Sequence, residues 1–161
     1  MRLLLIVAVL AVPHSAWGVS PDIFLRASSH SGVPVELLLA VSHVESRFNA
    51  YALNVSGRSF YPSSHAEAER ILNDSSDSVD VGLMQVNWGI WGRKLGYSKA
   101  NLLNPTLNVL LGAGILGYYV RLERDWWKGV GRYHSSMAWR QRNYINKVWE
   151  SYKGILSRVR R

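Results

Sequence analysis

The chain has 161 residues, a formal net charge of +8 and no cysteine. This length suits one domain with its own core, and the lack of cysteine excludes both a disulfide framework and a lipid anchor on an N-terminal cysteine. The charge predicts an anionic partner, although the basic residues are scattered except in the tail Arg158–Arg161, which a solvated surface explains equally well.

The N-terminus is typical of a secretory signal peptide. Arg2 precedes the apolar run Leu3–Val12, a proline interrupts the run, and small residues lead to a cleavage site after Gly18. A run of this length is too short to span a bilayer. We therefore predict a signal peptide at 1–18 and a mature domain at 19–161, with an uncleaved anchor as the alternative. Export favours anionic envelope polymers or phospholipid head groups over nucleic acid as the partner.

The first half of the mature chain predicts three helices and one loop or hairpin. Ser20 caps a first helix that Gly32 ends, and Pro34 starts a second helix that continues to residue 48. The stretch 49–64, rich in Gly, Ser, Asn and aromatic residues, predicts a loop or short hairpin. Ser64, with a glutamate three residues later, forms a capping box for the third helix.

The second half is also mostly helical. The polar stretch 73–80 predicts a solvated loop, and the glycine-broken stretch 81–95 predicts a tight turn that leads into short helical pieces. A helix over 104–124 is apolar almost all round but too short and glycine-rich for a membrane span, so we expect it to be buried at the centre of the domain. Helical stretches at 125–135 and 140–159 complete the chain.

Glu45 lies on the apolar side of the second predicted helix. At 3.6 residues per turn it shares a face with Leu38, Val41 and Phe48. A carboxyl group in apolar surroundings has a raised pKa, which a general acid near neutral pH requires. The alternative is a structural glutamate at a helix end, paired with Arg47 or another cation, and spacing alone does not decide between them.

Four motifs occur in a characteristic order. They are the Glu-Ser pair at 45–46, GLMQVN at 82–87, NPTLNVLLGAGIL at 104–116 and RYH at 132–134. In this order and at these separations they resemble the soluble lytic transglycosylase (SLT) domain, a lysozyme-like family that cleaves peptidoglycan. The resemblance covers about residues 22–150. It implies a mainly α, lysozyme-like fold of the goose type with a small hairpin or loop region.

The resemblance implies that Glu45 is the sole catalytic residue. It would protonate the glycosidic oxygen between N-acetylmuramic acid and N-acetylglucosamine, and its carboxylate would then accept the proton of the muramyl 6-hydroxyl. That oxygen closes onto C1 as a 1,6-anhydro ring, with no water, cofactor or metal. Ordinary glycoside hydrolysis needs two carboxylates. The nearby acids Asp74, Asp77 and Asp80 lie in the predicted solvated loop, and none has a sequence context that marks it as catalytic.

The resemblance also implies a set of substrate-binding residues. Ser46 would form a hydrogen bond close to the acid or to substrate, and Tyr144 would face the groove. Tyr133 matches a family tyrosine whose hydroxyl contacts the catalytic carboxyl, whereas His134 replaces a family asparagine. The full set is Ser46, Gly82, Leu83, Met84, Gln85, Asn87, Tyr133 and Tyr144.

The resemblance is greatest to small single-domain members that serve type IV secretion or conjugation, type IV pili or type III secretion. It implies a periplasmic monomer that acts on peptidoglycan glycan strands and opens the wall for such an apparatus, with its envelope components as partners and no nucleic acid. Three alternatives remain: a lysozyme-type hydrolase, a non-enzymatic glycan-binding scaffold protein, and a basic binder of membranes or nucleic acid.

Overall fold

The computed structural model describes residue 20 and residues 22–159; the predicted signal peptide at 1–18 lies outside them. The helices are α1 (Asp22–Ser31), α2 (Val35–Ser46), α3 (His65–Asn73), α4 (Pro105–Glu123), α5 (Trp126–His134) and α6 (Ala138–Val159). The strands are β1 (Leu53–Val55), β2 (Arg58–Phe60), β3 (Val79–Val81) and β4 (Val86–Asn87). A π-helical turn at Trp88–Gly92 and a 3-10 turn at Ala100–Leu103 connect β4 to α4.

The predicted helix signals occur where the helices begin. Ser64 accepts a hydrogen bond from the backbone N–H of Glu67 at the start of α3, and Asn104 accepts one from Leu107 at the start of α4. Helix α2 is two residues shorter than predicted, because Arg47 and Phe48 both adopt left-handed backbone conformations. This reversal directs the Phe48 side chain back into the core beneath α2, where it is buried.

A small antiparallel sheet lies beside the helices, with strand order β2-β1-β3-β4. Ser56 and Gly57 connect β1 and β2, and both have positive φ angles, as the favoured two-residue hairpin turns require. Strands β3 and β4 were not predicted. The first two residues of β3, Val79 and Asp80, fall in the stretch 73–80 that was predicted as a solvated loop. That prediction was wrong there, since Val79 and the following Val81 are fully buried.

Helix α4 is the element against which α1 and α5 pack, and α6 packs against both α2 and α5. Gly112 allows the closest approach on α4, since an added Cβ would lie 2.7 Å from Cγ of Met84. The helix lies at the centre of the domain, as expected from its apolar sequence, although Leu110, Tyr118 and Leu122 are exposed on one side. Within 22–159, no helix has both the length and the apolar character that a membrane crossing requires.

Candidate active site

Glu45 lies on the last turn of α2 at the floor of a cleft. Its side chain is 13% exposed, and Oε1 accepts a hydrogen bond of 2.6 Å from the hydroxyl of Tyr144. Leu38 and Val41, on the same face of the helix, are fully buried, so the apolar face predicted from the sequence is confirmed. Among the described residues Arg47 forms no ion pair with Glu45, and the basic side chain within ion-pair distance of the carboxyl is His134, with Nδ1 3.8 Å from Oε1.

Tyr144 is fixed by its surroundings as a hydrogen-bond donor. Its ring stacks on that of His134, with centroids 4.2 Å apart and planes inclined by 2°. Burial, together with the adjacent charge of Glu45, raises the pKa of Tyr144 well above its usual value. The hydroxyl therefore keeps its proton over the working range of the protein. It can orient the carboxyl group and stabilise its ionised form.

The predicted motif turn at Gly82–Gln85 is held by a buried amide. Asn108 on α4 donates to the carbonyls of Val81 and Leu102, and its oxygen accepts from the N–H of Met84 at 2.8 Å. Gly82 has φ of +79°, and an added Cβ would lie 2.5 Å from the Asn108 amide nitrogen. Only glycine therefore fits this position.

Three of the predicted substrate-binding side chains are buried beneath the cleft. The Ser46 hydroxyl donates to the carbonyls of Ser42 and Leu83, and so connects α2 to the motif turn. The side chains of Leu83 and Met84 are fully buried. Substrate contact by these side chains does not agree with the structure, which gives them a supporting position.

Tyr133 differs from the position implied by the resemblance. Its hydroxyl donates to the Met84 carbonyl at 2.6 Å, whereas the donor to the Glu45 carboxyl is Tyr144. Burial, with the charges of Glu45 and Asp80, raises the pKa of Tyr133 well above its usual value, so it too remains a donor. Tyr133 thus supports the motif turn. The contact with the Glu45 carboxyl that was expected of Tyr133 is made by Tyr144 on α6.

Gln85 and Asn87 line the cleft but have several of their polar atoms engaged. Gln85 Nε2 donates to the carbonyls of Ala52 and Gly82, so its side-chain oxygen is left to accept from a ligand. Asn87 Nδ2 donates to Asp80 at 2.8 Å. Gln85 therefore presents an amide oxygen to the cleft, and Asn87 holds the neighbouring carboxyl group of Asp80.

Asp80 is a cleft residue that the sequence analysis set aside as part of a solvated loop. It lies on β3 between two buried valines, and its carboxyl faces the same cleft as Glu45. Burial raises the pKa of Asp80; the charge of Glu45 adds to this effect, while the hydrogen bond from Asn87 and the charge of His134 oppose it. The alternation Val-Asp-Val was the signal that could have indicated a strand here. In a strand it places the aspartate on one face and the two valines on the other.

The carboxyl of Glu45 lies where two clefts meet. The larger, of about 790 Å³, is lined mainly by neutral polar and aromatic side chains from the sheet, its adjoining turns and α4, among them Asn54, Ser59, Gln85, Trp91 and Tyr119. The smaller, of about 330 Å³, is lined by Trp139, Arg140, Asn143, Tyr144 and Lys147 of α6. Glu45 and His134 line both clefts, so a ligand that extends from one to the other passes the carboxyl group.

A protein-family model described as the Transglycosylase SLT domain matches residues 22–154. The chain belongs to this family. The match includes every predicted site residue, from Glu45 to Tyr144. The mainly α, lysozyme-like fold predicted from the sequence is confirmed. Membership of the SLT family also supports a transglycosylase activity on peptidoglycan, at the level of the family.

Two relatives are similar to the chain over most of their length. The "Invasion protein IagB" of Salmonella typhimurium is 27% identical over 149 residues, which are 88% of this chain and 80% of the relative. "Protein IpgF" of Shigella flexneri is 26% identical over 141 residues, which are 83% and 81% of the two chains. No solved structure gives a significant match.

Proposed function

We propose that the protein is an exported lytic transglycosylase that cleaves the β-1,4 bond between N-acetylmuramic acid and N-acetylglucosamine without water. The observation that carries this proposal is the position of Glu45. Its carboxyl group is held by the Tyr144 hydroxyl at the junction of two clefts, where a glycan strand extending through both would pass it.

The reaction balances with one carboxyl group. Protonated Glu45 donates its proton to the glycosidic oxygen, the C1–O bond breaks toward that oxygen, and positive charge develops at C1 and the ring oxygen. The Glu45 carboxylate then accepts the proton of the muramyl 6-hydroxyl while that oxygen bonds to C1. The product is a 1,6-anhydro end, and Glu45 is again protonated.

Neighbouring residues assist each half of this cycle. The Tyr144 hydroxyl, 2.6 Å from Oε1, stabilises the carboxylate formed after the first proton transfer. Within 22–159 no hydrogen bond engages the other carboxyl oxygen, so it is available to the glycosidic oxygen and the 6-hydroxyl. The free side-chain oxygen of Gln85 and the amide of Asn54 suit the acetamido and hydroxyl groups of the sugars.

A lysozyme-type hydrolase is the second candidate function, and Asp80 is the observation that favours it. Ordinary glycosidases use a second carboxyl group as base or nucleophile. Asp80 lines the same cleft as Glu45 and is a carboxyl group of altered pKa. A hydrolase would use Asp80 to activate water, whereas a transglycosylase has no need of it as a base.

Mass spectrometry of the products released from purified peptidoglycan by residues 19–161 separates these functions. Anhydromuramyl ends from the wild type, and none from Glu45→Gln, are the result expected, because the amide keeps the shape of the side chain but cannot deliver a proton. The loss should be at least about 100-fold. Reducing ends that disappear in Asp80→Asn would establish the hydrolase instead. Near wild-type turnover by Glu45→Gln would overturn both.

The proposed setting is the periplasm, where the enzyme would open the wall locally for a secretion, conjugation or pilus apparatus. The predicted signal peptide and the similarity to a protein named for invasion support this setting. N-terminal sequencing of the chain recovered from the periplasmic fraction should begin at Val19. An intact N-terminus in the membrane fraction would indicate an uncleaved anchor.

A further inference from the structure

The smaller cleft has a charge pattern that a neutral glycan does not require. Arg140 and Lys147 line it from α6, and both side chains are exposed. Neither has a carboxylate within ion-pair distance among the residues described. The guanidinium of Arg140 lies over the ring of Trp139, 5.2 Å from its centroid, and this contact holds it at the edge of the cleft.

These two cations do not act on Glu45 directly. The only basic group within 4.0 Å of the Glu45 carboxyl in the described chain is His134. The larger cleft, by contrast, includes uncharged amides and hydroxyls that match sugar hydroxyl and acetamido groups. The larger cleft also contains Asp80 and Arg132, but Arg132 is paired with Glu123 at 3.3 Å. By contrast, Arg140, which lines both clefts, and Lys147 of the smaller cleft are not paired with a carboxylate among the described residues.

We propose that the smaller cleft binds the carboxylates of the peptide stem that peptidoglycan carries on its muramyl residues. Arg140 and Lys147 are the anion-binding groups, and Trp139 is an apolar wall for the stem backbone. This inference rests on the proposed function, because it requires a peptidoglycan substrate. It adds a preference for strands that retain acidic stems.

The experiment measures binding by calorimetry in the Glu45→Gln background, so that no fragment is consumed. The probes are short glycan fragments with free stem carboxylates, the same fragments with the stem carboxylates amidated, and fragments without stems. The added change is Arg140→Gln with Lys147→Gln. The matched control is Arg142→Gln with Lys128→Gln, which removes the same charge from exposed positions that line neither cleft.

We expect the Arg140→Gln/Lys147→Gln change to weaken binding of the acidic-stem fragment about tenfold, as two exposed charge pairs would. The loss should shrink at high salt, and binding of the amidated and stem-free fragments should change little. The control should bind all three fragments as its parent does. Melting temperatures of the variants confirm that each is folded.

An equal loss for acidic and stem-free fragments would overturn the inference, as would no measurable binding of any fragment. The outcome is distinct from that of the proposed reaction. Recognition of acidic stems by a wild type that releases no anhydromuramyl ends would leave this inference standing and reject the reaction. Anhydromuramyl ends from a protein that does not distinguish acidic stems would support the reaction and reject this inference.

Discussion

The Glu45 carboxyl group, the proposed catalytic acid, has one strong hydrogen-bond donor among the described residues, Tyr144, and the role of this donor is testable. Tyr144→Phe removes the bond to Glu45 but keeps the ring that stacks on His134. We expect kcat to fall at least about tenfold with little change in KM, because a hydrogen bond to a charged group is worth about 1.5–3 kcal/mol. Steady-state release of anhydromuramyl fragments measures this.

Tyr133→Phe is the matched comparison. It removes a hydrogen bond to the Met84 carbonyl, so the free energy of unfolding should fall by about 1–3 kcal/mol while kcat changes less than in Tyr144→Phe. The opposite ranking of the two kcat values would mean that Tyr133 acts on the carboxyl group during turnover, as the resemblance implied.

Asp80 should make stability depend on pH. Its folded-state pKa is raised, so the native protein binds this proton more tightly than the unfolded chain does. The contribution of Asp80 to stability is therefore fully present below the pKa of an aspartate in the unfolded chain, about 3.9. It is lost as the pH rises through the raised pKa of the folded state. At pH 7 the buried carboxylate destabilises the fold.

Asp80→Asn removes this charge and keeps an acceptor for the amide of Asn87. We expect the melting temperature at pH 7 to rise by roughly 2–4 °C, the shift that about 1 kcal/mol produces in a domain of this size, and the gain to vanish near pH 3. Calorimetric melts of both proteins across this range measure it. If the gain in melting temperature did not change with pH, it would not arise from the titration of Asp80.

At the scale of elements, α4 contacts the motif turn closely at one glycine, Gly112. Gly112→Ala would place a Cβ 2.7 Å from Met84 Cγ and 3.1 Å from the Tyr133 hydroxyl. We expect a loss of about 1–3 kcal/mol in the free energy of unfolding, as overpacking usually causes, and reduced activity because the turn is displaced.

Gly114→Ala is the control on the same helix. Its Cβ meets open space, so it should stabilise the helix by up to about 1 kcal/mol. Urea denaturation of both variants provides the comparison.

The helices were predictable because their signals are local. Caps at Ser64 and Asn104 and the apolar face that contains Glu45 depend on residues within one or two turns. Strands β3 and β4 were not predictable, because two or three residues show no clear periodicity and their pairing depends on distant partners. Asp80 was misplaced for this reason. The contact between Tyr144 and Glu45 joins residues 99 positions apart, and only the packing of α6 on α2 creates it.

At the scale of the whole molecule, the proposed function combines a general attraction for anions with one reacting carboxyl group. The formal charge of +8 would attract an anionic polymer at a distance, whereas the proposed acid Glu45 would act only on contact. The salt concentration distinguishes the long-range attraction from the reaction at the carboxyl group. Raising sodium chloride from about 50 mM to about 300 mM should raise KM for peptidoglycan severalfold and leave kcat nearly constant, because screening weakens long-range attraction more than contacts within a cleft.

Glu45→Gln shows whether this attraction is separate from the reaction. In cosedimentation with insoluble peptidoglycan, the variant should bind with the same salt dependence as the wild type and yet release no anhydromuramyl ends. A general basic binder of membranes or nucleic acid predicts the same salt dependence but no turnover by either protein. A kcat that fell with salt in parallel with binding would mean instead that the charges act within the reaction, and would assign Arg140 and Lys147 a role beyond capture.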